Sequence, residues 1–279
     1  MDGPGAGGRT GVSDLEYVLS TGEAGASRLE LLESLYGPAT EALLGELIRP
    51  GASVVDVGCG IGTVVAWLCG AVGPAGSVVG LDISADQLAV ASASAAERGL
   101  ANVRFVEADA YATGLPRASF DLVCCRSLLS HLEDPAAAVR EMAALVRPGG
   151  VLLCEDIDMA TIHADPPSAT LDRVTELFFA LGRVHRCDYR VGSRLADLET
   201  GAGLAAPASR ADQPTLRTGE GKRYWEYTFV EVAPAMIRAG VTTPDEVGAL
   251  AADLARIGTD ATTAIAQPQR TQAWATKPA

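Results

Sequence analysis

An acid and then alternating glycines, Asp56-x-Gly58-x-Gly60-x-Gly62, stand within VVDVGCGIGT, residues 54 to 63. Glycines so placed let the backbone take positive φ and approach a ligand closely. A pyrophosphate-binding turn spaces its glycines G-x-G-x-x-G so that phosphates rest on a helix N-terminus. Here the spacing differs and a carboxylate comes first, which would repel a pyrophosphate and suits a ligand carrying an ammonium group. A second acid, Asp82, closes the apolar run VVGLD, where a carboxylate can accept from both hydroxyls of a ribose. A third, Asp109 in EAD, falls where the exocyclic amine of an adenine needs an acceptor. NAD and S-adenosylmethionine share the ribose, so Asp82 alone does not choose between them. Ammonium, ribose and adenine without phosphate describe S-adenosylmethionine.

Methyl transfer from a sulfonium is an in-line displacement with a good leaving group already in place. The protein must position the partners away from water, and must supply a base only where the nucleophile loses a proton. Arg126 and Ser127 leave the fourth strand beside the methionyl part of such a ligand. His131, further on, reads either as a base or substrate hydrogen-bond partner or as a structural cap on the Asp134-Pro135 turn. In EDIDM, period-2 alternation puts Asp156 and Asp158 on one face and Glu155 on the other, and the cluster reads mostly as a solvated strand end. His163, in TIHADPPS, lines a substrate pocket on one reading and decorates a surface loop on the other. KRYWEYTF concentrates Tyr224, Trp225, Tyr227 and Phe229, either as a substrate lid or as helix core packing.

The elements that position these residues follow from periodicity. Apolar runs at 53–59, 77–83, 102–109, 120–127 and 149–158 alternate with helical patterns, as a parallel sheet covered on both faces demands. Ser84 and Asp134-Pro135 open two of the helices and Gly99 closes one. The fold class is α/β, doubly wound and Rossmann-like. Before the sheet, ASRLELLESLYGPATEALLGELI predicts two amphipathic helices broken around Gly37-Pro38. Beyond a helix at 166–184, a strand within GLAAPASRADQPTLRT, two helices and a final strand in TQAWATK are expected.

A formal net charge of −13 over 279 residues opposes binding to a nucleic-acid backbone. No apolar run reaches the roughly 18 residues of a membrane span, and the first dozen residues lack a leader pattern, so a soluble, untargeted, cytoplasmic protein is expected. Six cysteines without a CxxC pair read as buried small hydrophobes, and three scattered histidines give no metal-site spacing. The expected partner is a small molecule, with self-association left open.

VVDVGCGIGT, GLDIS, EADA, FDLVCCRSLLSHLEDP and LVRPGGVLL, in this order over about residues 50 to 158, resemble the motifs of class I S-adenosylmethionine-dependent methyltransferases. The resemblance is to the ubiquinone/menaquinone-methyltransferase-like branch, which includes many secondary-metabolite, natural-product enzymes. It implies a seven-stranded sheet with the last strand antiparallel, N-terminal helices, and a helical insertion before that strand. It further implies cofactor contacts from Asp56, Gly58, Gly60, Asp82, Ile83, Gln87, Asp109 and Ala110, with Arg126 and Ser127 beside the methionyl group. Tyr17 either closes that end or packs its segment onto the domain. The domain expectation is a disordered tail at 1–11, a helical cap at 12–50, the cofactor core at 51–160, and a C-terminal half with substrate-lid helices at 161–279. Two alternatives stay open: an NAD(P)-dependent oxidoreductase, disfavoured by the absence of any Lys before Lys222 for a Tyr-x-x-x-Lys pair, and a cofactor-retaining cyclase or binding protein.

Overall fold

The computed structural model describes residues 23–279, with side chains from Leu31 onward. A long helix, α1 (Glu23–Leu47), leads into the strand-helix alternation β1 (Ser53–Val57), α2 (Thr63–Val72), β2 (Ser77–Asp82), α3 (Ala85–Glu97) and β3 (Val103–Glu107). There follow β4 (Phe120–Arg126), α4 (Pro135–Leu145) and β5 (Val146–Asp158). The C-terminal half comprises β6 (His163–Asp165), α5 (Ala169–His185), α6 (Leu195–Gly201), β7 (Ala205–Asp212), β8 (Thr215–Leu216), α7 (Tyr224–Arg238), α8 (Pro244–Thr259), β9 (Ala264–Ala266) and β10 (Gln269–Thr276).

Seven strands form one sheet in the order β3-β2-β1-β4-β5-β10-β7. The first five run parallel, and β10 runs antiparallel between β5 and β7. Strand alternation sends Val55, Val57, Val123 and Cys125 to one face, against Val139 and Met142 of α4. Val54, Leu122 and Cys124 go to the other, against Leu68 of α2 and Leu43 and Leu44 of α1. Both faces of β1 and β4 are thereby covered, which is why their sequences read as unbroken apolar runs. A third apolar cluster joins α5, α7 and α8, with Phe178, Trp225, Phe229 and Leu254 among its buried members.

The helix starts follow the sequence. The Ser84 hydroxyl accepts from the Gln87 N–H at 3.3 Å, and the Asp134 carboxylate accepts from the Ala137 N–H at 2.9 Å ahead of Pro135. One expectation is corrected: α1 is a single helix running through Pro38, not two helices. A mid-helix proline costs about 3 kcal/mol. That cost is offset by burial on both sides of it, of Tyr36 before and Leu43 and Leu44 after. The expected helical insertion before the last strand is present as α7 and α8. Sequence periodicity did not show α6, nor the small sheet β6-β9-β8, whose strands are two or three residues long.

Glu199 of α6 is fully buried, and neither carboxyl oxygen has a hydrogen-bond partner among the described residues. Burial pushes its pKa from an ordinary 4.5 up to about 8, with Cys154 holding the rise back. Below pH 4.5 the acid is neutral whether folded or unfolded; as pH climbs to 8 only the unfolded chain ionises, so stability falls across that window. Glu199→Gln is expected to remove a loss on the order of 3–5 kcal/mol between the two pH limits, measured by chemical denaturation. Equal pH slopes in wild type and variant would show that Glu199 does not hold its proton.

Candidate active site

The loop after β1 is built by positive φ at Gly58 (74°), Gly60 (54°) and Gly62 (80°). A Cβ would also collide: at Gly58 with Leu128 Cδ1 at 2.9 Å, and at Gly60 with Gln87 Oε1 at 2.9 Å. The Gly58 and Cys59 N–H groups donate to the Leu81 carbonyl at 2.7 and 2.9 Å, fastening the loop to β2. The Asp82 carboxylate accepts one bond at each oxygen, from the Gly60 N–H at 2.8 Å and the Ser84 N–H at 3.0 Å. An ionised carboxylate has about four acceptor sites, so each oxygen keeps one for a ligand hydroxyl.

Neighbouring positions surround this loop. Ile83 is 58% exposed, an apolar side chain left uncovered beside Asp82. Gln87 is buried against Gly60. Asp109 Oδ1 accepts from the Tyr111 N–H at 2.9 Å, holding the turn beyond β3, and Ala110 is buried within it. Tyr17 lies outside the described residues.

Asp56 is buried at the end of β1, and its pKa rises from 3.8 to about 7. Burial raises it most, the Arg126 charge opposes the rise, and Asp82 adds to it. Arg126 donates through Nη2 to Glu33 of α1 at 2.7 Å, while its Nη1 is buried with no hydrogen-bond partner among the described residues. Ser127 follows at φ 53°, a conformation rarely taken by a residue with a side chain. Its hydroxyl accepts from Arg270 Nη2 at 3.1 Å.

Beside these groups, past the ends of β4 and β5, lies a cavity of about 810 Å³ including its mouth. Its polar wall comprises Ser127, Ser130, His131, Asp156, Thr228 and Arg270. Its apolar wall draws Leu32 and Tyr36 from α1, Phe178 from α5, and Tyr224, Trp225 and Val232 from α7. His131 is therefore at the cavity, with its ring edge-on to Tyr189 at 6.0 Å. His163 is corrected: it is exposed on β6, its Nδ1 lies 3.0 Å from the Thr161 carbonyl, and it does not line the cavity.

The EDIDM acids are also corrected, because Glu155, Asp156 and Asp158 are all buried. Asp156 accepts from the Ser130 N–H at 3.0 Å and the Ile157 N–H at 2.8 Å. Glu155 accepts from Arg270 Nη1, Thr40 Oγ1 and Gln272 Nε2, each at 2.8 Å. The Arg270 guanidinium sits 4.4 Å from the Tyr36 ring centroid, and Tyr36 donates to the Pro268 carbonyl at 2.7 Å. Of the aromatic quartet, Tyr224 and Trp225 line the cavity, Phe229 is buried in the helical core, and Tyr227 bonds to Glu220 at the surface. Sequence reasoning missed Arg270 and Phe178. An arginine inside the strand-like QRTQAWAT was the available signal for the first, and Phe178 left none.

The strand ends fit S-adenosylmethionine on their own chemistry. An amino-acid head group carries an ammonium for Asp56 and a carboxylate for the orphaned Arg126 Nη1, and a ribose diol matches the two free acceptor sites of Asp82. A doubly wound sheet with an antiparallel seventh strand, and acids closing its first strands around a glycine loop, defines the class I S-adenosylmethionine-dependent methyltransferases. Residues 55–154, about a third of the chain, match the family model described as a methyltransferase domain.

Among its relatives, a nocamycin O-methyltransferase of Saccharothrix syringae is 39% identical over 102 residues, 37% of this chain and 36% of that protein. A ubiquinone/menaquinone biosynthesis C-methyltransferase of Hahella chejuensis is 38% identical over 115 residues, 41% of this chain and 46% of its own. The chain spans about half or less of the length of the curated relatives it matches. In fold, the crystal structure of the YcgJ protein of Bacillus subtilis is similar, with a TM-score of 0.58 at 21% identity, covering 87% of this chain and 100% of that one.

Proposed function

We propose that the protein moves a methyl group from S-adenosylmethionine to an oxygen, nitrogen or carbon atom of a small, largely apolar metabolite. The carrying observation is the pair at the ends of β1 and β4: a buried carboxylate at Asp56 and an Arg126 guanidinium nitrogen without a hydrogen-bond partner among the described residues. These two match the opposite charges of an amino-acid head group. When bound, S-adenosylmethionine supplies a methyl group on a sulfonium, which is a good leaving group. Asp56 and Arg126 hold the head group, Asp82 holds the ribose, Asp109 with Ala110 faces the adenine, and Ile83 offers it an apolar surface. The aromatic wall of the cavity keeps water from the acceptor, and His131 takes a proton from it where the acceptor is a hydroxyl. Natural-product metabolism is supported by the likeness to nocamycin O-methyltransferase. A reducing, cytoplasmic setting is supported by six cysteines, all of them free.

Asp56 makes the reading testable by pH. In the free protein it holds a proton up to about pH 7, and a neighbouring ammonium favours the charged form. Binding therefore expels a proton, so S-adenosylmethionine affinity rises by about tenfold per pH unit below 7 and levels off above it. Asp56→Asn is expected to bind weakly with no such slope, as measured by calorimetry. A wild-type affinity flat from pH 5.5 to 7.5 would remove Asp56 from the ammonium site.

A further inference from the structure

Of the six residues on the polar wall of the cavity, four are buried: Ser130, Asp156, Thr228 and Arg270. Three of these are committed within the protein. Both Asp156 oxygens accept backbone N–H groups, Arg270 pairs with Glu155 at 2.8 Å, and the Thr228 hydroxyl donates to the Tyr224 carbonyl at 2.8 Å. Ser127 and His131 are the two that keep accessible surface at the cavity. Ser127 is gripped from two sides. Its backbone N–H donates to the Glu155 carbonyl at 2.9 Å, and its hydroxyl oxygen accepts from Arg270 Nη2 at 3.1 Å, while Nη1 of the same guanidinium donates to the Glu155 carboxylate. A guanidinium only donates, so the Ser127 hydroxyl keeps its own proton to give, and that proton has no acceptor among the described residues. The residue is held at φ 53°, and such strained conformations persist where the surroundings enforce them, as Glu155 does here through its carbonyl and through Arg270.

We infer that Ser127 selects the acceptor molecule: its hydroxyl donates a hydrogen bond to a hydroxyl oxygen of the substrate, so that the site takes apolar hydroxyl compounds, phenols or enols, in preference to amines. This rests on the methyltransferase reading, because it is the acceptor's place beside the cofactor that gives the cavity its use. A hydroxyl oxygen has lone pairs for the Ser127 proton, and His131, on the same wall, is available to the substrate's own proton. An ammonium has no lone pair to offer and brings a positive charge towards the Arg270 guanidinium. A site built to bond a substrate oxygen discriminates against an analogue that meets it poorly, since its own polar group is then left unpaired. Ser127 is a specificity-determining residue, and the apolar wall on the other side of the cavity takes the remainder of the molecule.

The test uses the full chain and a matched pair of probes, 5,6,7,8-tetrahydro-2-naphthol and the corresponding amine, 5,6,7,8-tetrahydro-2-naphthylamine. S-adenosylhomocysteine is kept saturating for each protein, so that the preference reports on the acceptor alone. Calorimetry is expected to show the naphthol binding about tenfold more tightly than the amine to wild type, the worth of one neutral hydrogen bond. In Ser127→Gly that preference is expected to disappear, and glycine adopts positive φ without strain, so the turn is kept. Ser127→Ala, which retains the Cβ, is expected to lose the preference in the same way. Equal affinity for the two probes in wild type, tighter binding of the amine, or a preference that survives both substitutions would each overturn the inference. So would failure of both probes to bind while S-adenosylhomocysteine still does. Failure of S-adenosylhomocysteine itself strikes the methyltransferase reading instead, and this inference with it.

Discussion

Replacing Asp82 with Ala is expected to weaken S-adenosylhomocysteine binding by about 100- to 1000-fold, the worth of two hydrogen bonds to a charged acceptor. The carboxylate works in two directions at once. Towards the protein it accepts from the Gly60 and Ser84 N–H groups at 2.8 and 3.0 Å, which fixes the glycine loop against β2. Towards the ligand, each oxygen has one acceptor site left for a ribose hydroxyl. Ala removes both functions, whereas Asp82→Asn keeps one acceptor oxygen and the side-chain shape. The Asn variant should therefore lie between the two, about tenfold weaker than wild type. Calorimetric titration of the three proteins gives the ranking. An Ala variant that binds as tightly as wild type would take Asp82 out of the ribose site.

The largest stability effect is expected at Arg270. Its ion pair with Glu155 at 2.8 Å has side chains only 3% and 1% exposed, and burial, which works to lower the arginine's pKa, is outweighed by Glu155. Arg270→Leu leaves Glu155 with the Thr40 and Gln272 donors but without a countercharge, and breaking such a pair on one side costs about 3–5 kcal/mol. Replacing both partners with apolar residues is often close to neutral. The double variant Arg270→Leu with Glu155→Leu is accordingly expected to recover a good part of the loss in chemical denaturation. If the double variant is as unstable as the single one, Arg270 acts through packing over Tyr36 and beside Ser127 instead of through charge.

What could be read from the sequence, and what could not, separates along physical lines. The strands β1, β2, β4 and β5 were legible because burial on both faces writes an apolar run, and Ser84 and Asp134 cap helices through bonds local in sequence. The positions of the acids at 56, 82 and 109 were legible for a related reason, since each lies at or just past the end of a strand and a parallel sheet brings strand ends together. The continuous helix α1 was not, because the packing of Tyr36, Leu43 and Leu44 that overrides Pro38 is tertiary. Asp156 and Glu155 looked like solvated acids because nothing local shows that their partners are Ser130, Thr40, Arg270 and Gln272. His131 and His163 looked equivalent, and only the path of the chain puts one at the cavity and the other on an exposed strand. The cavity itself was illegible as a whole, because its wall combines residues of α1, the β4 end, α5 and α7 that periodicity reads only as separate helices and strands.

The central claim is that acids at the strand ends select a phosphate-free, ammonium-bearing nucleoside. Calorimetric titration of the full chain with S-adenosylhomocysteine and, separately, with NAD tests it most directly. The account requires saturable one-to-one binding of S-adenosylhomocysteine, lost in Asp82→Ala, and no binding of NAD under the same conditions. Binding of NAD in preference to S-adenosylhomocysteine would contradict it.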